Sequence, residues 1–188
     1  MPIAPMSAED LRHWVDAHSS ERHQPRSESE RTDAPDGAPR ERTIKQAMVR
    51  AQRLIATRER SSFELLSRLA TAGYPDAICE EVVARCVRAS LVDDERFTRV
   101  YVSSKQQAGW GRARILRGLR QAGIDPSSYP GTWEESFDDE DELRRALSLL
   151  EHHRTSSKDP YRALYAYLMR KGFSSEVSSR AVSLHLKA

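Results

Sequence analysis

The chain has 188 residues, of which 38% are hydrophobic and 31% are charged. These proportions permit only a modest core, which favours packed helices over a large sheet sandwich. No segment approaches the ~20 apolar residues of a membrane span, and the N-terminus lacks the basic and apolar regions of a secretory signal. We therefore expect a cytoplasmic protein that makes no membrane contact. The formal net charge of +2 does not by itself indicate a class of partner.

The first 42 residues are predicted to be a disordered tail. Residues 17–42 lack large apolar side chains and are rich in Ser, Pro, Arg and Glu, so burial cannot offset the entropy lost on ordering them. Within the tail, Leu11, Trp14 and Val15 share a helical spacing. This spacing is compatible with a docking helix for a partner, but an incidental apolar cluster is favoured because an isolated helix this short is marginally stable.

A pattern of two aliphatic residues and a glycine, each four positions apart, recurs three times after the tail. The copies are Leu65–Leu69–Gly73, Ile115–Leu119–Gly123 and Leu164–Leu168–Gly172. Each copy predicts a helix that ends in a left-handed glycine, because glycine has no Cβ to oppose a positive φ. The period of about 50 residues indicates a repeated structural unit.

A longer helix is predicted before each copy, since apolar residues recur there at three- and four-residue intervals. Predicted N-terminal signals are the pair Ser61 and Glu64, then Asp94, then Asp159 followed by Pro160. A third helix closes the first and third units. In the second unit Pro126, Pro130 and Gly131 interrupt the corresponding segment, so we expect a third helix that is short, displaced or absent.

These elements predict an all-α fold of three tandem three-helix, helix-turn-helix-like repeats that form an elongated, curved array. The repeats are predicted to span residues 43–92, 93–137 and 138–188. The only two cysteines, Cys79 and Cys86, fall in one predicted helix with Cα atoms roughly 10 Å apart, which is too far for a disulfide. Both are expected to be buried thiols in a reducing compartment.

Recognisable catalytic motifs are missing from the sequence. It contains no phosphate-binding loop of the GxxxxGK[ST] type, no HExxH and no CxxC. Gly109-Trp110-Gly111 contains a lone GxG between two predicted helices, with no strand before it. We therefore expect a non-enzymatic protein with no cofactor and no metal site.

A basic stretch in the second repeat is the candidate binding site for nucleic acid or an acidic protein partner. It contains no acidic residue, and its positive residues are Arg96, Arg99, Lys105, Arg112, Arg114, Arg117 and Arg120. The last three are predicted to fan over the face of one helix opposite its apolar residues. Such a face fits phosphates or an acidic protein surface. Arginine supplies 25 of the 30 basic residues, a bias that phosphate recognition or genome base composition could equally explain.

The sequence resembles the RecX family of bacterial regulatory proteins over about residues 44–188. Three groups of residues carry the resemblance: Arg58-Glu59-Arg60-Ser61 followed by Glu64, Leu65, Leu69 and Gly73; the run from Leu91 to Phe97 followed by Tyr101 and Val102; and Gly109-x-Gly111 followed by Ile115, Leu119, Gly123 and Ile124. These residues mostly form caps, turns and core. The interrupted third helix of the second repeat departs from the family pattern.

The resemblance implies a modulator of the RecA recombinase. Family members resemble elongated helical arrays in the groove of the RecA filament on single-stranded DNA, where they suppress filament extension, ATP hydrolysis and strand exchange. The implied partners are the RecA filament and single-stranded DNA, with weak binding to duplex DNA, and we expect a monomer. Two alternatives come from the residues themselves: a helical DNA-binding protein that acts alone, and a helical scaffold for other proteins.

Overall fold

The computed structural model describes residues 37–187, and the regular structure in this range is entirely helical. In chain order the helices are α1 (Gly37–Thr57), α2 (Ser62–Thr71), α3 (Asp76–Arg88), α4 (Asp94–Gln107), α5 (Arg112–Gln121), a 3-10 helix (Pro126–Ser128), α6 (Pro130–Glu135), α7 (Asp139–Glu151), α8 (Pro160–Lys171) and α9 (Ser175–His185). The predicted all-α class is confirmed. Most of the predicted tail, including its apolar cluster, lies outside the described residues.

Helix α1 begins earlier than the sequence predicted, so residues 37–42 are helical and are not part of a tail. Pro39 lies in the first turn, where its missing N–H breaks no intrahelical hydrogen bond. The Arg, Glu and Arg that follow are good helix formers. Glu41 also lies 3.9 Å from the guanidinium of Arg85 on α3.

The described residues form two compact units, and the first contains residues 37–58 and 65–91. Its helices α1 and α3 pack against each other. The buried side chains of this unit include Ile44, Ala47, Ala51, Leu69, Ile78, Val82 and Cys86. Both cysteines are buried and free, as predicted. Burial raises the pKa of Cys79 to about 11, so its thiol is a core group and not a nucleophile.

The second unit contains residues 59–64 and 92–187, and it holds two hydrophobic cores. One core joins α4, α5 and the segment that follows α5, and its buried residues are Phe97, Val102, Ile115, Leu119, Ala122, Ile124 and Phe137. The other joins α7, α8 and α9 around Leu143, Ala146, Leu150, Leu164, Leu168, Phe173, Val177, Ala181 and Val182. The predicted repeat boundaries at residues 92/93 and 137/138 stay predictions.

The repeated aliphatic-aliphatic-glycine pattern has the predicted conformation in all three copies. Its six aliphatic side chains are buried. Gly73, Gly123 and Gly172 have φ values of +87°, +74° and +93°. Each glycine therefore ends its helix in the left-handed region.

The third helix of the second repeat is short, which agrees with the prediction from its Pro and Gly content. The segment consists of the 3-10 helix and the six-residue α6. The half-buried rings of Tyr129 and Trp133 pack on the core that α4 and α5 share. Aromatic side chains thus cover the core of the second repeat, whereas a longer third helix, α9, covers the core of the third repeat.

Two predicted helix caps are confirmed and one is corrected. Ser61 Oγ accepts a hydrogen bond from the Glu64 N–H, and the Asp159 carboxylate accepts one from the Arg162 N–H. For α4 the capping residue is Asp93, whose carboxylate accepts from the Arg96 N–H at 2.9 Å. Asp94, the predicted cap, instead accepts hydrogen bonds from the backbone and hydroxyl of Ser62. Tertiary packing thus selects between two adjacent carboxylates.

Between residues 37 and 187, every helix is too short or too polar to cross a bilayer.

Candidate partner-binding site

The loop between α4 and α5 is the framework of the site. Gly109 has a φ of +74°, and the next N–H, of Trp110, donates to the Lys105 carbonyl at 2.9 Å. The Gly111 N–H donates to the carbonyl of Lys171, at the end of α8. A Cβ on Gly111 would overlap the backbone of Gly172 and Phe173. The GxG sequence therefore provides a tight turn and a close approach of two backbones.

The ring of Trp110 is contacted by two of the predicted site cations. The Lys105 Nζ lies 5.0 Å from the ring centroid, and the Arg114 Cζ lies 3.9 Å from it. Lys105 also lies 5.2 Å from the ring of Tyr101. These distances are those of cation–π interactions, which hold both charges in defined positions at the surface.

Arg114 is less exposed than the sequence predicted. Its side chain stacks on Trp110, and its Cβ lies where a side chain on Gly172 would be placed. The predicted arc of three solvent-facing arginines therefore consists of two exposed residues, Arg117 and Arg120, and the half-buried Arg114. The difference arises because the following repeat packs on the first turn of α5.

Arg112 combines a backbone contact with an aromatic one. Its N–H donates to the Glu142 carboxylate at 2.8 Å, and that side chain is only 3% exposed. The Arg112 guanidinium carbon lies 5.5 Å from the ring centroids of both Trp133 and Phe137. A buried acid thus binds the N-terminus of α5, where the helix dipole favours negative charge.

Two other predicted cations, Arg96 and Arg99, form ion pairs within the chain. Arg96 Nε lies 2.6 Å from Glu59, in a pair in which both side chains are about one-third exposed. Arg99 lies 2.8 Å from Glu95, one helical turn earlier. The glutamates partly neutralise their charges, so a partner meets a weaker positive electrostatic potential at these two residues.

Arg117 and Arg120 differ from the other five cations in their freedom to meet a partner. Both are exposed on α5, a helix without acidic residues in its first turn. Within the described part of the chain, no ion pair joins either residue to a carboxylate. The predicted cations therefore fall into three classes: ion-paired (Arg96, Arg99), ring-contacting (Lys105, Arg112, Arg114) and exposed without either kind of contact among the described residues (Arg117, Arg120).

Sequence reasoning missed two charged residues of this region, Glu142 and Arg145. Glu142 reads as one member of an acidic run, yet it is buried against α5. Arg145 lies beside the apolar positions of α7, and its Nη1 donates to the Trp110 carbonyl at 3.2 Å. Burial lowers the pKa of Arg145, while Glu142 and Asp141 act in the opposite direction. The spacing of apolar residues carries no signal for either contact.

Family models and curated relatives match this chain over most of its described length. A model described as the first three-helix domain of RecX matches residues 47–86, and one described as the second matches residues 93–127. The chain is 32% identical over 176 residues to the regulatory protein RecX of Mycolicibacterium smegmatis, covering 86% of this chain and 93% of that protein. It is also 32% identical to the regulatory protein RecX of Mycobacterium marinum, covering 76% of this chain and 86% of that protein.

Solved structures share the same fold. A crystal structure of regulatory protein RecX superposes with a TM-score of 0.67 at 17% identity, covering 94% of this chain and 86% of that one. The crystal structure of RecX from Lactobacillus salivarius gives a TM-score of 0.63 at 16% identity, covering 79% of this chain and 99% of that one. At these identities the structures establish the fold, and the curated relatives establish the family. The chain belongs to the RecX family of regulatory proteins.

Proposed function

We propose that this protein is a non-enzymatic regulator that binds the RecA filament on single-stranded DNA. Binding inhibits filament extension, ATP hydrolysis and strand exchange, and so restrains recombination and DNA repair. Membership of a family of regulatory proteins supports this role. The inhibition itself and both partners, RecA and single-stranded DNA, are the proposal.

The observation that carries the proposal is the exposed basic face of α5. Arg117 and Arg120 project from a helix whose core residues, Ile115 and Leu119, are fully buried. Because no carboxylate of the described residues pairs with them, phosphate or acidic groups of a partner can neutralise them. Both arginines therefore make direct contacts in the proposed complex.

The other five cations contribute to this face to different degrees. Lys105, Arg112 and Arg114 are held on aromatic rings, so less side-chain entropy is lost when a partner binds. Arg96 and Arg99 contribute less to the electrostatic potential that a partner meets, because each is paired with a glutamate. We therefore expect replacements of the ion-paired residues to weaken partner binding less than replacements on α5.

The test is a comparison of two charge-reversal variants. Arg117→Glu with Arg120→Glu removes the exposed face of α5. Arg162→Glu with Arg180→Glu makes the same change of charge at exposed positions of the third repeat. RecA-catalysed ATP hydrolysis on single-stranded DNA is measured with each protein added. We expect the wild type and the Arg162/Arg180 variant to inhibit, and the Arg117/Arg120 variant to lose most of the inhibition.

Direct DNA binding distinguishes phosphate contacts from acidic contacts on RecA. If both arginines meet phosphates, the log–log dependence of single-stranded DNA affinity on salt should lose about 1.4 from its slope in the Arg117/Arg120 variant, at about 0.7 per contact. An unchanged slope with lost inhibition would assign the face to RecA. Full inhibition by a folded Arg117/Arg120 variant would contradict the proposed site. Strong duplex footprints without any effect on RecA would favour an independent DNA-binding protein.

A further inference from the structure

A groove of about 300 Å³ lies along α1 in the first unit, which does not contain the α5 face. The residues that line it are Gln46, Val49, Arg50, Arg53 and Leu54 of α1, and Tyr74, which follows the glycine at the end of α2. The first four lie at positions i, i+3, i+4 and i+7, so they share one face of α1. The buried Ile44, Ala47 and Ala51 lie on a different face of the same helix. The groove is therefore open to solvent, and Val49 is 47% exposed.

Two arginines give this groove its positive charge. Arg50 and Arg53 are exposed, and between residues 37 and 187 no carboxylate forms an ion pair with either of them. From residue 42 to residue 57, α1 has four basic residues and no acidic one. Arg85 of α3, by contrast, has Glu81 at 2.7 Å and Glu41 at 3.9 Å. An anionic ligand can therefore pair with both arginines of the groove.

The other residues of the groove suit a planar ring. Val49 and Leu54 provide aliphatic surface, the half-buried Tyr74 is aromatic, and Gln46 carries an amide. A nucleotide has the matching groups, because its base has two apolar faces and a polar edge, and phosphates flank it. The volume is at the lower end of the range for small-ligand pockets, which fits one nucleotide.

We propose that this groove binds one nucleotide of a single-stranded nucleic acid. The base lies against Tyr74 and Val49, and the flanking phosphates pair with Arg50 and Arg53. Neither RecA nor the α5 face is needed for this binding, so the site is additional to the proposed function.

A single strand fits the groove better than a duplex or an acidic protein segment does. In a duplex the faces of each base are stacked on its neighbours, whereas an unpaired strand can place a base on an aromatic side chain. An acidic protein segment would neutralise the two arginines but would leave the aromatic and aliphatic surface without a partner. The combination of ring, aliphatic groups and cations in one groove therefore favours a nucleotide.

The test compares two labelled strands, oligo(dT) and an abasic strand of the same length, which has the phosphates but not the bases. Binding of the full chain to each strand is measured by fluorescence anisotropy, without RecA. Because this comparison is made first on the wild type, it does not depend on the stability of any variant. We expect the wild type to bind oligo(dT) about fivefold or more tightly than the abasic strand, which is the lower end for one base–aromatic stack.

Replacements of Tyr74 test the position of the base. Tyr74→Ala should remove the preference for oligo(dT) and leave binding of the abasic strand within about twofold. Tyr74→Phe keeps the ring and should keep the preference. Equal wild-type affinity for the two strands would overturn the proposal. It would also be overturned if a folded Tyr74→Ala variant kept the full preference.

Charge reversals test the phosphate contacts. Arg50→Glu with Arg53→Glu changes the groove. Arg68→Glu with Arg88→Glu makes the same change of charge at exposed residues of α2 and α3 that do not line it. The log–log dependence of affinity on salt should lose about 1.4 more from its slope in the Arg50/Arg53 variant than in the control, for two phosphates at about 0.7 each. Equal losses in the two variants would show a general effect of net charge and overturn the site.

One further variant separates this site from the α5 face. Arg117→Glu with Arg120→Glu should keep the preference for oligo(dT) over the abasic strand, because the base is bound in the first unit. Loss of that preference would place the base on α5 and overturn the proposal. Since none of these measurements contains RecA, a protein that fails to inhibit RecA can still show the nucleotide site.

Discussion

The three repeat glycines share a positive φ but have different surroundings. A Cβ built on Gly73 would meet no described atom within 4 Å. On Gly123 it would overlap the side chain of Phe63, and on Gly172 it would overlap Arg114. Gly73 is therefore required only for its backbone conformation, whereas the other two also permit close packing.

Alanine substitutions should separate these two requirements. Gly73→Ala should lower the free energy of unfolding by about 1 kcal/mol, the usual penalty for a left-handed non-glycine residue. Gly123→Ala and Gly172→Ala should lower it by about 2 kcal/mol or more, because the overlap adds to that penalty. Urea unfolding measures all three values. Equal losses at the three positions would show that conformation alone determines the effect.

Asp94 makes the stability of the second unit depend on pH. Burial raises the pKa of its carboxyl group above the ordinary 3.8, although two hydrogen bonds from Ser62 oppose the shift. Just above pH 3.8 the native state therefore holds more protons at this site than the unfolded chain does. The contribution of Asp94 to the unfolding free energy falls as pH rises through this window, and is constant once both states are ionised.

Replacing Asp94 by Asn should remove this dependence. Asn is neutral at every pH and can keep the hydrogen bond from the Ser62 N–H. The unfolding free energy of the wild type minus that of Asp94→Asn should fall as pH rises through the acidic range above 3.8. Urea unfolding at several pH values measures this difference, with Asp139→Asn, at an exposed position, as the control. A difference that rises with pH would contradict the assigned direction.

At the scale of elements, the second repeat replaces a long third helix with aromatic cover. The core that α4 and α5 share is closed in part by Trp133, whose ring lies 4.6 Å from that of Phe137. The same two rings lie under the Arg112 guanidinium. This short segment therefore contributes both to stability and to the position of a site cation.

Removing the Trp133 ring tests how much this segment contributes to stability. Trp133→Ala should lower the free energy of unfolding by about 2–4 kcal/mol, in the range of large aromatic truncations at partly buried sites. Tyr161→Ala, at a residue that is 40% exposed, is the control and should cost less than about 1 kcal/mol. Chemical unfolding monitored by circular dichroism gives both values. An unchanged free energy of unfolding in Trp133→Ala would show that α6 does not close this core.

At the scale of the whole molecule, the buried core of the described chain begins at Ile44. We expect far-ultraviolet circular dichroism to show a helical protein with negligible strand content. Deletion of residues 1–36 should leave the unfolding midpoint unchanged. Deletion through residue 42 also removes Glu41, whose exposed ion pair with Arg85 is worth at most about 1 kcal/mol. A large loss of stability after the shorter deletion would place core contacts in the N-terminal segment.

The sequence by itself determined the helical class, the threefold repeat, the left-handed glycines and the short third helix of the second repeat. Each of these depends on neighbours within a few positions: apolar residues one helical turn apart, a glycine without a Cβ, or a proline without an N–H. The same local patterns predicted a start of α1 that is too late, and they predicted Asp94 instead of Asp93 as the N-terminal cap of α4. In both cases two alternatives differ by a small local free energy: helix or coil for residues 37–42, and Asp93 or Asp94 as the cap.

Only the tertiary structure decided which cations are available to a partner. Arg96 pairs with Glu59 across 37 positions, the backbone N–H of Arg112 donates to Glu142 across 30, and the Arg145 guanidinium donates to the Trp110 carbonyl across 35. Helical periodicity assigns a side chain to a face but does not specify what packs on that face. Arg114 was therefore predicted to be as exposed as Arg117, although the following repeat covers it. The charge of the site was visible in the sequence, whereas its division into paired, ring-contacting and exposed groups depends on how the repeats of the second unit pack.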